Sequence, residues 1–308
     1  MYSYFRISTI FLFFCNYLFS QKITSEIPYY KIDLTTSFLA TLNLEKNEDI
    51  ESVELDSIRY ISDGLSIKGY VLKPKKIFSK LPIIIFNRGG NGNFGNLTPK
   101  LMLSRLSSIA SKGYVIFGST YRGNSDSEGF DEFAGEDVND ILNLISIAKK
   151  NIYVDSTKIA LYGWSRGGIM TYKALRNTKD KNIKTAIIGG APSDIFKLLE
   201  ERPLFETDLL SKRIPNFKQN RDNEIVNRSA IFWVKDLPKI PFLIVHGKND
   251  NAVNYTQSID MCKEFAKESI PNELIIYENE GHNINENKEN FDIKLTEWLS
   301  KIFSDTVL

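Results

Sequence analysis

The sequence reads Gly163-Trp164-Ser165-Arg166-Gly167-Gly168 directly after the apolar run Ile159-Ala160-Leu161-Tyr162. The run predicts a buried strand, and the residues after Ser165 predict a helix. A serine between glycines at such a junction is typical of a nucleophile turn, because a sharp turn is crowded and exposes the serine oxygen. The start of the helix would add backbone N–H groups that suit a developing oxyanion. We therefore interpret Ser165 as a candidate catalytic nucleophile.

Apolar runs alternate with helical patterns along most of the chain. Further strands are predicted at residues 82–86, 114–117, 185–188, 241–245 and 273–277, and helices at 101–110, 138–145 and 291–302. Residues 52–73 predict a hairpin, since two alternating strands meet at Asp63-Gly64. Continuous apolar strands between helices indicate a mostly parallel sheet with helices on both faces. Together with the nucleophile turn, this pattern predicts the α/β-hydrolase fold.

The length of 308 residues fits one large domain better than two. We expect a catalytic domain at 51–308, preceded by an N-terminal extension at 21–50. Residues 192–239 interrupt the strand pattern and mix charged with apolar side chains. We expect a helical insertion there, over the carboxyl edge of the sheet. It is either a lid above the site or a segment that only packs on the domain.

Residues 1–20 predict a signal peptide. Arg6 is the only charged residue among them, and Ile7 to Phe19 form an apolar run that is too short to span a bilayer comfortably. We expect cleavage near Ser20, a secreted or periplasmic protein, and no stable membrane insertion afterwards. An uncleaved N-terminal anchor is the alternative.

The charge balance excludes several classes of partner. The chain has 39 basic and 38 acidic residues and no polybasic stretch, so no nucleic-acid or anionic-membrane partner is expected. The acidic segment 126–137 could bind a cation, but it contains no histidine and no calcium-loop spacing. We expect it to be a solvated loop whose later acids favour the start of the next helix, and we expect neither metal nor cofactor.

A serine nucleophile needs a base, and the chain contains only two histidines. His282 lies in the loop after the predicted strand 273–277, where a catalytic base would reach the serine. His246 ends the strand 241–245, and we expect it to shape the turn that follows. His282 is therefore the predicted base.

The acid of the predicted triad should lie between serine and histidine in the chain. Asp250 follows the strand 241–245 within this interval. Asp260 and Glu264 are alternatives, but they fall on a helical pattern. The predicted triad is thus Ser165, Asp250 and His282, in which the acid orients the imidazole and stabilises the imidazolium.

The loop after the strand 82–86 reads Asn87-Arg88-Gly89-Gly90-Asn91. Paired glycines let backbone N–H groups approach a substrate oxygen, so the predicted oxyanion donors are Arg88 and Gly89 from this loop and Arg166 from the turn. The residues Gly90 to Gly95 also match the dinucleotide fingerprint G-x-G-x-x-G. The next strand ends without the acid that the fingerprint expects, so a nicotinamide-dependent oxidoreductase remains a minor alternative.

Four blocks of this sequence resemble the catalytic domain of the prolyl oligopeptidase-type serine hydrolases. These blocks are residues 87–91, residues 121–124 with 135–140, residues 163–168, and residues 228–229 through 246–250 to 281–282. The resemblance covers roughly residues 50–305, and its most specific part is His-Gly-x-x-Asp-x-x-Val, which ends at Val253. It implies the same triad. Trp164, beside the nucleophile, and Val253 are the candidate substrate-binding residues.

Two departures from this family bear on the substrate. Peptidases of the family carry an N-terminal β-propeller that selects short peptides, whereas about thirty residues lie between the predicted signal peptide and the hairpin here. Several also place a tyrosine of the oxyanion hole where this sequence has Arg88. Both departures weaken the case for a proline-specific peptidase. The resemblance implies cleavage of an amide or ester bond in a small molecule or short peptide, with a carboxylesterase or a binding module without turnover as alternatives.

Overall fold

The computed structural model describes residues 28–92 and 94–304. The predicted signal peptide, the first residues of the N-terminal extension and Asn93 lie outside these ranges. Within them, no helix is long and apolar enough to cross a membrane.

Nine strands of the described residues form one sheet. Their bounds are β1 Tyr29–Ile32, β2 Val53–Ser62, β3 Leu65–Pro74, β4 Leu81–Asn87, β5 Val115–Ser119, β6 Val154–Trp164, β7 Ile183–Gly189, β8 Phe242–Gly247 and β9 Asn272–Tyr277. The strand order is β1-β2-β3-β5-β4-β6-β7-β8-β9. The pairs from β5 through β4 to β9 are parallel, and the pairs of β1, β2 and β3 are antiparallel. The sheet is therefore mostly parallel, as predicted.

Helices cover both faces of the sheet. Their bounds are α1 Thr36–Thr41, α2 Glu48–Ser52, α3 Pro99–Ala110, α4 Val138–Ala148, α5 Arg166–Asn177, α6 Ile195–Glu201, α7 Ser211–Arg213, α8 Phe217–Arg228, α9 Thr256–Lys267 and α10 Lys288–Ser304. Residues of α4, α5 and α9 belong to one hydrophobic core, and residues of α3 and α10 belong to the other. The sheet thus lies between two helical layers.

The central strand β4 is apolar at every position from Ile83 to Phe86 because both faces of the sheet are covered there. Ile83 and Ile85 enter the core with α4 and α5, whereas Ile84 and Phe86 enter the opposite core. Successive side chains of a strand point to opposite faces, so a strand buried on both faces must be apolar at every position.

The described part of the N-terminal extension, residues 28–50, packs on the rest of the protein. Strand β1 pairs with β2 at the edge of the sheet, and Leu39 and Ile50 from α1 and α2 are buried in the core with α3. The hydrophobic pattern of this short segment was not recognised in the sequence, because its helices have only six and five residues.

The segment 192–239 lies between β7 and β8 and is mostly helical. It contains α6, α7 and α8, a π-helical turn at Glu206–Leu210 and two short 3₁₀ turns. Leu198, Leu210 and Ile225 join the core with α4 and α5, so the insertion packs against the body of the domain.

Candidate active site

Ser165 lies at the turn between β6 and α5 with φ 55° and ψ −126°. Such a conformation is rare for a residue with a side chain and is typical of a strained nucleophile turn. The neighbouring glycines make the turn possible, because a Cβ on Gly167 would lie 1.9 Å from the carbonyl oxygen of Asn87 and one on Gly163 would lie 2.2 Å from that of Gly167. The structure therefore shows at both positions the backbone crowding that we expect to require glycine.

Asp250 and His282 meet at the carboxyl edge of the sheet. Asp250 follows β8, His282 follows β9, and Nδ1 of His282 lies 2.7 Å from Oδ2 of Asp250. The Asp250 side chain is fully buried, whereas the His282 side chain keeps 23% of its surface exposed. The exposed part of the imidazole faces a cavity of about 430 Å³ that Ser165 also lines.

Ser165 and His282 thus share one cavity. Among the hydrogen bonds of the described residues there is none between the serine hydroxyl and the imidazole. Catalytic hydrogen bonds are often long in an unliganded site and shorten when substrate is bound.

The carboxylate of Asp250 is held by donors on both oxygens. Oδ1 accepts the backbone N–H groups of Ala252 and Val253 at 2.8 and 2.9 Å. Oδ2 accepts from His282 and lies 3.0 Å from Nε2 of His246. Burial raises the pKa of Asp250, but the hydrogen bonds from His246 and His282, the attraction to His282 and the backbone N–H of Val253 together lower it by more. The pKa therefore lies well below its usual value and the group stays ionised.

His246 was expected to shape a turn, and the structure places it against the predicted acid. It is fully buried, and its other ring nitrogen, Nδ1, lies 2.7 Å from the hydroxyl of Ser258. The four-residue spacing between His246 and Asp250 in the sequence did not reveal that the two side chains touch.

The loop 87–91 lies beside the nucleophile. A Cβ on Gly89 would lie 3.0 Å from Cβ and 3.7 Å from Oγ of Ser165, so its backbone closely approaches the serine. The side chain of Arg88 points away from the cavity, since it is fully buried and donates to the carbonyl oxygen of Thr120. The cavity is lined by Gly89 and Gly90 but not by Arg88. Of the two residues expected to donate from this loop, Gly89 is the one that lines the cavity, and the assignment of their backbone N–H groups as oxyanion donors stays a prediction.

Arg166 contributes a backbone N–H at the start of α5 and a buried side chain. Its guanidinium lies 2.5 Å from carboxylate oxygens of both Asp131 and Asp137. The expectation of a solvated acidic loop is wrong for these two residues, whose side chains are fully buried. Asp131 also accepts from the backbone N–H of Gly92 at 3.3 Å, so the same carboxylate connects the nucleophile helix to the loop after β4.

Trp164 and Val253 both line the cavity, where the sequence predicts substrate contacts. Each also makes a contact that the sequence did not indicate. The indole N–H of Trp164 donates to the carbonyl oxygen of His282 at 2.9 Å, which fixes the loop that carries the base. The backbone N–H of Val253 holds the acid, as described above.

The wall of the cavity is mainly apolar. The insertion contributes Leu198, Arg202 and Phe205, and Phe205 packs edge-on against Phe133 with ring centroids 5.7 Å apart. Phe86, Trp164 and Phe291 also line the cavity. The insertion therefore forms part of the wall around the nucleophile.

The glycines at 90–95 do not open a helix, as the dinucleotide fingerprint requires. Helix α3 begins at Pro99, four residues after Gly95. The Thr98 hydroxyl caps it by accepting from the Leu101 N–H. A pyrophosphate bound at these glycines would therefore lack the helix N-terminus on which the fingerprint depends.

Residues 99–306 match the prolyl oligopeptidase family. The uncharacterized peptidase YtmA of Bacillus subtilis (strain 168) is 28% identical over 251 residues, which cover 81% of this chain and 94% of YtmA. Dipeptidyl peptidase 8 of Homo sapiens is 25% identical over 255 residues, which cover 77% of this chain and 27% of that protein.

Solved structures share the fold. The acylaminoacyl peptidase of Pyrococcus horikoshii matches with a TM-score of 0.68 at 21% identity, over 88% of this chain and 44% of its own. Porphyromonas gingivalis dipeptidyl peptidase 4 matches with a TM-score of 0.64 at 18% identity, over 81% of this chain and 35% of its own. This chain thus spans less than half the length of these two structures, and they confirm the predicted α/β-hydrolase fold.

The family match covers most of the chain and contains Ser165, Asp250 and His282. It confirms the resemblance that the four sequence blocks indicated. The chain belongs to the prolyl oligopeptidase family and is a serine hydrolase.

Proposed function

We propose that the protein is a peptidase that cleaves short peptides through an acyl-enzyme on Ser165. The observation that carries this proposal is the contact of 2.7 Å between Asp250 and His282 at the cavity that Ser165 lines. An ionised acid beside the imidazole keeps a proton on Nδ1, which leaves Nε2 free to accept the serine proton.

In the proposed reaction, Ser165 Oγ attacks the carbonyl carbon of the substrate while His282 takes the hydroxyl proton. We assign the stabilisation of the oxyanion of the tetrahedral intermediate to the backbone N–H groups of Arg166 and Gly89. His282 then gives the proton to the departing amine, and the acyl-enzyme forms. Water, deprotonated by His282, hydrolyses this ester and releases the acid.

One observation supports peptides over other acyl substrates, and a second describes the side chain that the site would accept. The relative YtmA, whose length this chain nearly covers, is described as a peptidase. The cavity of about 430 Å³ is lined mainly by apolar and aromatic side chains, which suits an apolar side chain next to the scissile bond. A carboxylesterase would use the same triad, with an alcohol as the leaving group.

A fluorophosphonate probe tests the nucleophile. We expect the probe to label the protein at one site, and we expect Ser165→Ala to abolish the labelling. Ser104→Ala, at an exposed position of α3, is the matched control and should label as the wild type does. Equal labelling of Ser165→Ala and wild type would refute the assignment.

Matched substrates test the leaving group. A peptide and an ester with the same acyl part should both be cleaved by a peptidase, because His282 protonates the amine as it leaves. Cleavage of the ester alone, across a panel of short peptides, would favour the carboxylesterase.

We also propose that the protein is exported, on the basis of the apolar run from Ile7 to Phe19 and the small residue Ser20. Mass spectrometry of the protein from the native cell should then find a mature chain that begins near Gln21. A chain that retains Met1 in the cytoplasmic fraction would contradict export.

A further inference from the structure

We propose that His246 is a positioning residue for the reaction, because it holds the catalytic carboxylate of Asp250 in the orientation that His282 needs. The inference rests on the proposed function of the triad. It concerns the second histidine of the chain, which the family assignment leaves without a role.

Both histidines contact the same oxygen atom. His246 Nε2 lies 3.0 Å from Asp250 Oδ2, and His282 Nδ1 lies 2.7 Å from it on the side of the cavity. The side chains of His246 and Asp250 are fully buried, so no water competes for this contact. A buried carboxylate that lost one donor would be left with an uncompensated acceptor, which is costly.

The surroundings of His246 determine which of its nitrogens carries a proton. Nε2 lies near two acceptors, Asp250 Oδ2 at 3.0 Å and the carbonyl oxygen of Val253 at 2.9 Å. Two acceptors require a donor between them, so Nε2 is protonated. Nδ1 then accepts from the hydroxyl of Ser258, 2.7 Å away, when the ring is neutral.

The contacts form a chain from helix α9 to the active site, running Ser258, His246, Asp250 and His282. Ser258 orients the imidazole of His246, and this imidazole fixes Oδ2 of Asp250. The backbone donors on Oδ1 hold the other half of the carboxylate. With both oxygens fixed, Asp250 cannot rotate away from His282 as the imidazolium forms during the reaction.

Two amide substitutions of His246 test the contacts of its two ring nitrogens separately. The amide of His246→Gln reaches the place of Nε2 and can donate to Asp250 and to Val253, whereas the amide of His246→Asn reaches only the place of Nδ1, near Ser258. The two variants differ by one methylene, so both bury an amide in the same site.

We expect His246→Asn to lower kcat by about 10- to 100-fold, the effect of losing one hydrogen bond to a charged group, with KM little changed. His246→Gln should recover most of this loss. Thermal unfolding of both variants shows whether each is folded at the assay temperature. Equal kcat in folded His246→Asn and wild type, or an equal loss in both variants, would overturn the proposal.

A spectroscopic measurement separates this proposal from the proposed function. With ¹⁵N-labelled histidine, the chain gives two sets of ring resonances, and the set that vanishes in both variants belongs to His246. The low-field Nδ1 proton of His282 should persist in His246→Gln and should shift upfield or disappear by exchange in His246→Asn. An unchanged resonance in His246→Asn would overturn the positioning role. Absence of hydrolysis by the wild type would refute the proposed function alone.

Discussion

At the scale of the residue, the site depends on one carboxylate. Asp250 is buried, which raises its pKa, but hydrogen bonds from His246 and His282 together with the attraction to His282 and the backbone N–H of Val253 outweigh burial and lower the pKa. An ionised acid in this position stabilises the imidazolium that forms as Ser165 attacks. The orientation of His282 is also fixed from outside the triad, by the indole of Trp164.

Asp250→Asn should lower kcat by about 10³- to 10⁴-fold, because an amide favours the wrong tautomer of His282. Steady-state kinetics with a cleaved substrate measures the loss. Asp260→Asn is the control, since Asp260 was the rival acid in the sequence and in the structure pairs with Lys197 at 2.8 Å. A larger loss in Asp260→Asn than in Asp250→Asn would contradict the assignment of the acid.

At the scale of the element, the junction of β6 and α5 determines where the nucleophile lies. The strand is fixed by parallel pairing to β4 and β7, and the helix begins immediately after Ser165. The turn fits only because Gly167 lets the helix approach the backbone at Asn87, the last residue of β4. The loop that continues from Asn87 then brings Gly89 to the serine.

Gly167→Ala tests this close approach. Alanine normally stabilises a helix relative to glycine, by up to about 1 kcal/mol. Here the added Cβ would lie 1.9 Å from a backbone oxygen, so we expect the free energy of unfolding to fall by about 1–3 kcal/mol, as measured by urea unfolding.

Gly281→Ala is the matched control for that measurement, because its added Cβ would have 3.9 Å to the nearest neighbour. It should change the free energy of unfolding far less than Gly167→Ala. A stabilised Gly167→Ala protein would show that the turn can relax.

At the scale of the whole molecule, buried ion pairs connect distant parts of the chain. Arg166 lies at the start of α5 and pairs with Asp131 and Asp137, 35 and 29 residues earlier in the chain. Burial raises the pKa of Asp131, but the charge of Arg166 and hydrogen bonds from it lower the pKa well below the usual value.

Stability should therefore fall in acid. The folded protein keeps Asp131 and Asp250 ionised below the ordinary pKa of 3.8, whereas the unfolded chain takes up protons there. Their contribution is present above pH of about 4 and is lost as the pH falls toward their folded pKa values. Urea unfolding at a series of pH values between 6 and 3, taken as rough limits, measures the decrease.

Asp131→Asn identifies the source of this acid sensitivity. The variant should be less stable than wild type at neutral pH, because Arg166 loses one buried partner, and its stability should fall less steeply in acid. Asp208→Asn, at a side chain with 69% of its surface exposed, is the control and should follow the wild-type curve. Parallel curves for wild type and Asp131→Asn would show that other groups cause the decrease.

The sequence by itself determined the alternation of strands and helices from the hairpin at residues 52–73 onward and the nucleophile turn, and it predicted the triad. Apolar periodicity and glycines at a turn are local properties, and a chain with two histidines leaves few candidate bases. The same periodicity could not show which polar side chains would be buried together. Asp131 and Asp137 looked like members of a solvated acidic loop until folding placed them around Arg166.

Only the tertiary structure decided how His246 meets Asp250, how Trp164 fixes the His282 loop, and how the insertion forms part of the cavity wall. These contacts join residues from different strands, loops and helices. Their geometry depends on how the elements pack. Residues that are far apart in the sequence touch only because packing brings their elements together, and the local sequence around each residue does not show which distant residue it will contact.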